Sequence, residues 1–163
     1  KEKETDPHTG KSFEKIGHCF VGETLIETSE GKKRIDEIKV GDYVFTRKGL
    51  KKVLNVFDNG IKNVRKYTMN GKIIECTDNH LIFTKNRGFV KAFELNEEDK
   101  FLMFENNNVK NSFVSDGETR LEKVFDLEIE DENEYFANEI LVHNCSDALE
   151  YFICELCRDW LKE

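Results

Sequence analysis

Long apolar runs are missing from this sequence, and none approaches the roughly 20 residues that a membrane-crossing helix needs. The opening Lys1-Glu2-Lys3-Glu4 has nothing of the apolar stretch of a signal peptide. Without a span or a leader, the chain reads as soluble and cytosolic, with no membrane partner. Basic charge is also short: 25 Lys and Arg against 33 Asp and Glu leave a formal net charge of -8. That balance argues against nucleic acid or an anionic membrane as the main partner. Proline occurs once, at Pro7. The five cysteines, at 19, 76, 145, 154 and 157, lack the even count of a secreted disulfide framework and in a reducing compartment would be thiols. Nucleophiles and metal ligands therefore become the uses to consider. What the chain does have is 163 residues, 38% of them hydrophobic, enough for one compact domain with short appendages.

Composition divides it into three unequal parts. Residues 1–18 are polar, with no sustained period of 2 or 3.6, and read as a tail. Gly10-Lys11-Ser12 has the ending of a phosphate loop, but Thr5 stands where the motif needs a glycine. From Cys19 to about Val142 the pattern is of short strands: 20–28, 42–47, 50–57, 64–69, 72–77, 81–84, 101–104, 124–129 and 140–142. Asn59-Gly60 and Asn70-Gly71 are the dipeptides that two-residue hairpins favour, and Lys48-Gly49 and Arg87-Gly88 mark further turns. This is an all-β domain. Its one break is 105–119, where Asn106-Asn107-Asn108 and Ser115-Asp116-Gly117 predict a flexible loop. After Cys145, Leu149, Phe152, Ile153, Leu156, Trp160 and Leu161 form the apolar stripe of a C-terminal amphipathic helix, with Ser146 placed as its cap. A helix this short is marginal alone in water, so the piece reads as cut from something larger.

Both composition boundaries carry a cysteine. Cys19 stands where the tail meets the first strand, and Asn144-Cys145 where the last strand meets the helix. Between them Thr77-Asp78-Asn79-His80 follows a strand, and His143 precedes Asn144. Each has a plain structural reading, cysteine as a small buried hydrophobe, asparagine as a helix cap, and histidine as an ordinary core or surface residue.

Taken together they resemble the motif set of inteins. Cys19-Phe20-Val21-Gly22-Glu23-Thr24-Leu25-Ile26 matches the opening block, and 71–82, with Thr77 and His80, the second. The closing block runs from Val124-Phe125-Asp126-Leu127-Glu128-Ile129 through Ala137-Asn138-Glu139-Ile140-Leu141-Val142-His143-Asn144, with Cys145 first in the downstream segment. The resemblance implies a horseshoe-shaped, mostly antiparallel β-fold, shared with hedgehog autoprocessing domains, that brings the two ends together. It divides the chain into an N-terminal host segment 1–18, a splicing domain 19–144 and a C-terminal host segment 145–163. It implies autocatalytic splicing in cis by a monomer, with no cofactor, no metal and no nucleic acid. The residue types suit that chemistry, because a thiol is the most readily activated side-chain nucleophile. Cys19 would attack the carbonyl of His18, His80 would protonate the departing nitrogen with Thr77 in support, and Cys145 would take over the acyl group. Asn144 would cyclise beside His143 to cut the chain, and Asp126 would tune the cysteines to couple the steps.

Asn133 stands where many inteins carry a second helping histidine, so cyclisation should lean on His143 and be slow. The segment also lacks paired acidic helices like those of a homing endonuclease, as in a mini-intein. Joined flanks would read Lys15-Ile16-Gly17-His18-Cys145-Ser146-Asp147-Ala148-Leu149-Glu150-Tyr151, which resembles a late motif in the nuclease domain of viral terminase large subunits. In that family the aspartate binds metal, although Asp147 also suits the first turn of a helix. Two rivals remain: a hedgehog-type domain that cleaves without ligating, which lacks the terminal Asn and downstream nucleophile, and zinc on His143, Cys145, Cys154 and Cys157.

Overall fold

A computed structural model describes residues 3–5, 12–14, 19–105 and 107–143. The first strands, β1 (Lys3–Thr5) and β2 (Ser12–Glu14), pair antiparallel as a separate hairpin inside the segment that the sequence marks as a tail. The domain then contributes β3 (Phe20–Val21), β4 (Leu25–Thr28), β5 (Gly31–Arg34), β6 (Tyr43–Thr46), β7 (Gly49–Met69) and β8 (Lys72–Cys76). There follow β9 (Leu81–Thr84), β10 (Gly88–Lys91), β11 (Phe113–Ile129), β12 (Glu134–Ala137) and β13 (Ile140–His143). Every pairing among them is antiparallel, and they run in the order β10-β9-β13-β12-β4-β6-β7-β11-β3-β8, with β5 on β4 and β8 returning to β7. The all-β expectation holds. The helix expected after Cys145 lies outside the described residues.

Two long strands form the spine. β7 pairs with β6 at its start, with β11 from Val53 to Met69 and with β8 from Arg65 to Met69, so it links the two parts of the sheet. The turn from β7 into β8 is the expected Asn-Gly hairpin: Met69 faces Lys72, and Asn70 and Gly71 take φ of 51° and 81°. Both φ values lie in the region that a type I′ turn requires, which asparagine and glycine tolerate best. Asn59-Gly60 behaves differently, because β7 runs straight through it. The loop expected over 105–119 is in part strand as well, since β11 begins at Phe113 and pairs with the far end of β7. Its outer half is exposed on both faces, with Val114 and Leu121 both in solvent, so no alternation marks it as a strand.

Burial falls where the strands cross. Phe20, Ile26, Tyr67, Ile74, Leu127 and Tyr135 are fully buried in one core that joins β3, β4, β7, β8, β11 and β12. A second, small cluster of Cys19, Val21, Val64 and Val124 lies around β3. The fold also uses one device three times, once at buried Thr46, whose hydroxyl donates to the Gly49 carbonyl at 2.9 Å. Thr28 and Thr84, both buried, each close a tight turn by donating to a glycine carbonyl, Gly31 at 2.6 Å and Gly88 at 2.7 Å. A single 3-10 turn follows each, at Ile35–Glu37 and at Ala92–Glu94. Among the described residues no helix is long and apolar enough to cross a membrane.

Candidate active site

β3 is only two residues long, yet it sits between β8 and β11, and that position organises the site. Phe20 faces Cys76 on one side and Phe125 on the other. Continuing both registers by one residue sets Cys19 between Thr77 and Asp126. The backbone contacts agree: the Cys19 N–H donates to Thr77 Oγ1 at 3.2 Å, and the Thr77 N–H donates to the Cys19 carbonyl at 3.1 Å. The nitrogen of the 18–19 peptide bond is thus held by a hydroxyl. Cys19 is completely buried, and Asn59 Nδ2 donates to its sulfur at 3.0 Å.

Thr77 opens a β-turn closed by the His80 N–H on the Thr77 carbonyl at 3.1 Å, with Asp78 and Asn79, good turn formers, between them. His80 is fully buried, its ring 4.0 Å from that of Phe20. The turn is staked on both sides. Ala92 and Phe93 N–H groups donate to the His80 and Asp78 carbonyls at 2.8 and 2.9 Å. The Asp78 carboxylate takes two bonds from Arg65, at 2.8 and 3.0 Å, and one from the Tyr67 hydroxyl at 2.5 Å. Arg65 holds Asp78 below the usual carboxylate range, with Tyr67 helping against burial. Burial, then Asp78, push the Tyr67 phenol up, so it stays a donor.

Asp126, also buried, accepts its Oδ1 bonds from the Leu127 N–H and the Tyr135 hydroxyl, both at 2.8 Å. The Tyr135 ring meets Phe20 edge-on at 6.1 Å, so Phe20 has His80 on one side and the partner of Asp126 on the other. Cys76, by contrast, is a buried thiol that belongs to the main core, and burial pushes its pKa well up. A thiol so disposed is inert.

His143 ends β13, opposite Glu134 of β12, with Phe89 edge-on at 5.1 Å. Burial pushes its imidazole down to about 4, opposed in part by Glu134, so at neutral pH it is uncharged. Arg47 holds Glu134 with bonds of 2.6 and 3.0 Å and lies over the Phe83 ring at 4.4 Å. β13 pairs with β9, Val142 facing Ile82, two residues beyond His80. The turn 77–80 therefore has Cys19 at one end, and β13 points His143 toward the other. Cys19, Thr77, His80 and Asp126 are brought together, and His143 lies on the adjoining strand. Asn144, Cys145 and His18 lie outside the described residues, as do Asp147, Cys154 and Cys157. Asn133 is exposed just before β12. Among the described residues no three His, Cys, Asp or Glu side chains are grouped to hold a metal.

Sequence reasoning missed Asn59, the Arg65–Asp78–Tyr67 clamp, Tyr135 and Glu134. Only Asn59 carried a signal, as a turn dipeptide, and it pointed elsewhere.

A family model described as the Pretoxin HINT domain matches residues 25–145. The crystal structure of the gp41-1 intein is 31% identical, with a TM-score of 0.64 over 77% of this chain and 98% of that one. The bacterial intein-like domain from Clostridium thermocellum is likewise 31% identical, with a TM-score of 0.63 over 77% of this chain and 98% of its own. A DnaB intein from Synechocystis, 23% identical, has the same fold, with a TM-score of 0.65 over 77% of this chain and 97% of that chain. No curated protein sequence matches the chain. The antiparallel horseshoe of strands and the long middle of the sequence thus place the chain in the Hint family of self-processing domains. Within that family it is an intein of mini-intein size, a single-turnover catalyst of its own splicing.

Proposed function

We propose that the splicing domain runs from Cys19 to Asn144 and joins His18 to Cys145, with Cys19, Thr77, His80, Asp126, His143, Asn144 and Cys145 as the reacting and assisting groups. The observation that carries this reading is the turn 77–80, which holds the amide of Cys19 through Thr77 and leads into the strand against which β13 delivers His143. Holding Cys19 and the end of β13 against one turn favours reaction by orientation, which contributes on the order of 7 to 11 kcal/mol.

In the first step Cys19 sulfur bonds to the carbonyl carbon of His18. The tetrahedral adduct then expels the Cys19 nitrogen, which takes a proton from the His80 side, and a thioester replaces the amide. Thr77, hydrogen-bonded to that nitrogen, fixes its orientation while the bond breaks. Cys145 sulfur next displaces Cys19 from the acyl carbon. The Asn144 side-chain nitrogen then attacks its own backbone carbonyl, the bond to Cys145 breaks, and the freed amine captures the acyl group. His143, uncharged at neutral pH, assists by donating a hydrogen bond rather than a full proton. With Asn133 in place of a second imidazole, this makes cyclisation the slow step. Asp126, whose carboxylate accepts from the Tyr135 hydroxyl, tunes the cysteines between steps. All of this happens in cis and calls for one copy of the chain. The joined flanks, 15–18 and 145–151, are similar to the terminase motif, and this supports such a host.

The test is an Asn144→Ala chain, which stops before cyclisation. Hydroxylamine should release the upstream segment from the thioester, and His80→Ala should slow that release by about 10²- to 10⁴-fold. Release that persists after Cys19→Ala would sink the reading.

A further inference from the structure

Asn59-Gly60 has the sequence of a hairpin turn, but the fold buries that signal inside a 21-residue strand. The ladder between β7 and β11 slips there: Asp58 faces Phe125 and Ile61 faces Lys123, so Asn59 and Gly60 together oppose Val124 alone. Two residues against one make a β-bulge, and Gly60 takes a φ of 73° that a side chain would resist. Two further contacts hold the bulge in shape. Asp58 Oδ1 accepts the Gly60 N–H at 3.1 Å, and Lys123 Nζ lies 3.0 Å from Asp58 Oδ2. A bulge bends its strand and re-aims a side chain out of ladder order. The side chain re-aimed here is Asn59, and its Nδ2 lies 3.0 Å from Cys19 Sγ. Val124, the residue opposite the bulge, pairs on its other side with Val21 of β3, so bulge and cysteine flank one point of β11.

We propose that Asn59 is a further catalytic residue of the splicing reaction, an uncharged donor that stabilises the Cys19 thiolate as it forms. This rests on Cys19 being the first nucleophile. An amide suits the task because it donates without being able to take the proton itself. A hydrogen bond to the charged form lowers a pKa, by about one unit for a single good donor. One unit multiplies the thiolate share about tenfold, while each thiolate loses roughly threefold in reactivity, leaving about a threefold gain at neutral pH. The thiol proton leaves to water, the sulfur–carbon bond forms, the carbon–nitrogen bond breaks, and the nitrogen takes a proton.

The sign of the gain depends on pH, and that provides the test. In the full chain with Asn144→Ala and Cys145→Ala, Cys19 is titrated through its 13Cβ shift by NMR from about pH 6 to 11, and its attack on the 18–19 bond is timed at each pH by hydroxylamine release of the upstream segment. Asn59→Ala should move the midpoint up by about one unit, react about threefold more slowly at neutral pH and about threefold faster above both midpoints. Asn59→Asp, nearly the same shape but with a carboxylate facing the sulfur, should move the midpoint further up. Asn63→Ala, an exposed neighbour on the same strand, should change nothing. Unmoved midpoints in both Asn59 variants would overturn the proposal, and so would a uniform slowing at every pH. Should either variant fail to fold, the Asn59 side-chain amide protons of the chain that keeps Asn59 are followed by NMR. They must titrate with the Cys19 midpoint, and indifference to it overturns the proposal equally. The two readings separate cleanly. Upstream release that survives Cys19→Ala defeats the nucleophile assignment, whereas release lost with Cys19→Ala and indifferent to Asn59 defeats only this one.

Discussion

Asp78 takes no part in the bonds that break or form, yet its replacement by asparagine should be costly in two distinguishable ways. The carboxylate accepts three hydrogen bonds, two from Arg65 and one from Tyr67, and holds the turn that carries Thr77 and His80. An asparagine side chain in its place would keep one acceptor oxygen and present an NH2 group to the guanidinium. Breaking a buried ion pair costs about 3 to 5 kcal/mol. The Asp78 side chain is 36% exposed and that of Arg65 15%, so screening reduces this to about 2 to 3 kcal/mol. For a domain of this size that loss lowers Tm by roughly 10 °C. The pH dependence follows from the direction of the shift. Asp78 is held below its ordinary value in the fold, so its contribution is complete above about pH 4, the unfolded value, and vanishes as pH falls through the lower folded value. Thermal unfolding in a Cys19→Ala, Asn144→Ala background should show the Asp78→Asn deficit at neutral pH and convergence of the two curves in acid. With splicing restored, thioester formation should slow by about 10²-fold, because a displacement of about 1 Å in the reacting groups is worth that much. Equal Tm values at neutral pH, or a deficit undiminished in acid, would refute the reasoning.

His143 supplies the second prediction: with its imidazole at about 4, cleavage before Cys145 should accelerate as pH falls from neutral toward that value, and His143→Ala should abolish the rise. Glu134→Gln removes the charge that raises the His143 pKa, so an NMR titration should place that imidazole lower still and the acid-side acceleration should move with it. Gly22→Ala would set a Cβ 2.6 Å from Asp36 Oδ2 and 3.2 Å from the Phe125 ring. Asp36 can swing away only by giving up its two bonds to Arg34, an exposed pair, so chemical denaturation should show a loss of about 1 kcal/mol.

Sequence pattern carried the fold class because the buried strands alternate or run apolar and end in legible turns, as at Asn70-Gly71. It failed where a strand has no buried face. β5, Gly-Lys-Lys-Arg, lies at an edge and has no apolar side, and the outer half of β11 is an edge whose own side chains past Phe113 lie in solvent, although the β7 residues it faces, Val64, Tyr67 and Met69, are buried. Ser115-Asp116-Gly117 there looked like loop, yet the ladder merely slips between Ser115 and Thr119. The candidate site residues were legible because Thr77 and His80 share one local turn and Cys19, His143, Asn144 and Cys145 sit at the seams, whereas Asp126, inside β11, was marked only by the resemblance of the closing block. Their supports were not. Arg65 reaches Asp78 only because β7 folds back on β8 with Arg65 opposite Cys76, and Tyr135 reaches Asp126 across two strands that no local pattern connects. Asn59 was misread for a physical reason: a dipeptide that tolerates positive φ serves a bulge as well as a hairpin, and only the partner strand decides between them.

The central claim is that two particular bonds break and one forms, 18–19 and 144–145 giving 18–145. The direct measurement is to express the chain between two tags of different mass and weigh the products. The account predicts a species carrying both tags joined through His18 and Cys145, together with an excised piece beginning at Cys19 and ending in a succinimide at Asn144. It also predicts that neither appears when Cys19 and Asn144 are both alanine. Separate tags without the joined species, or a chain that stays whole through reduction and long incubation, would contradict it.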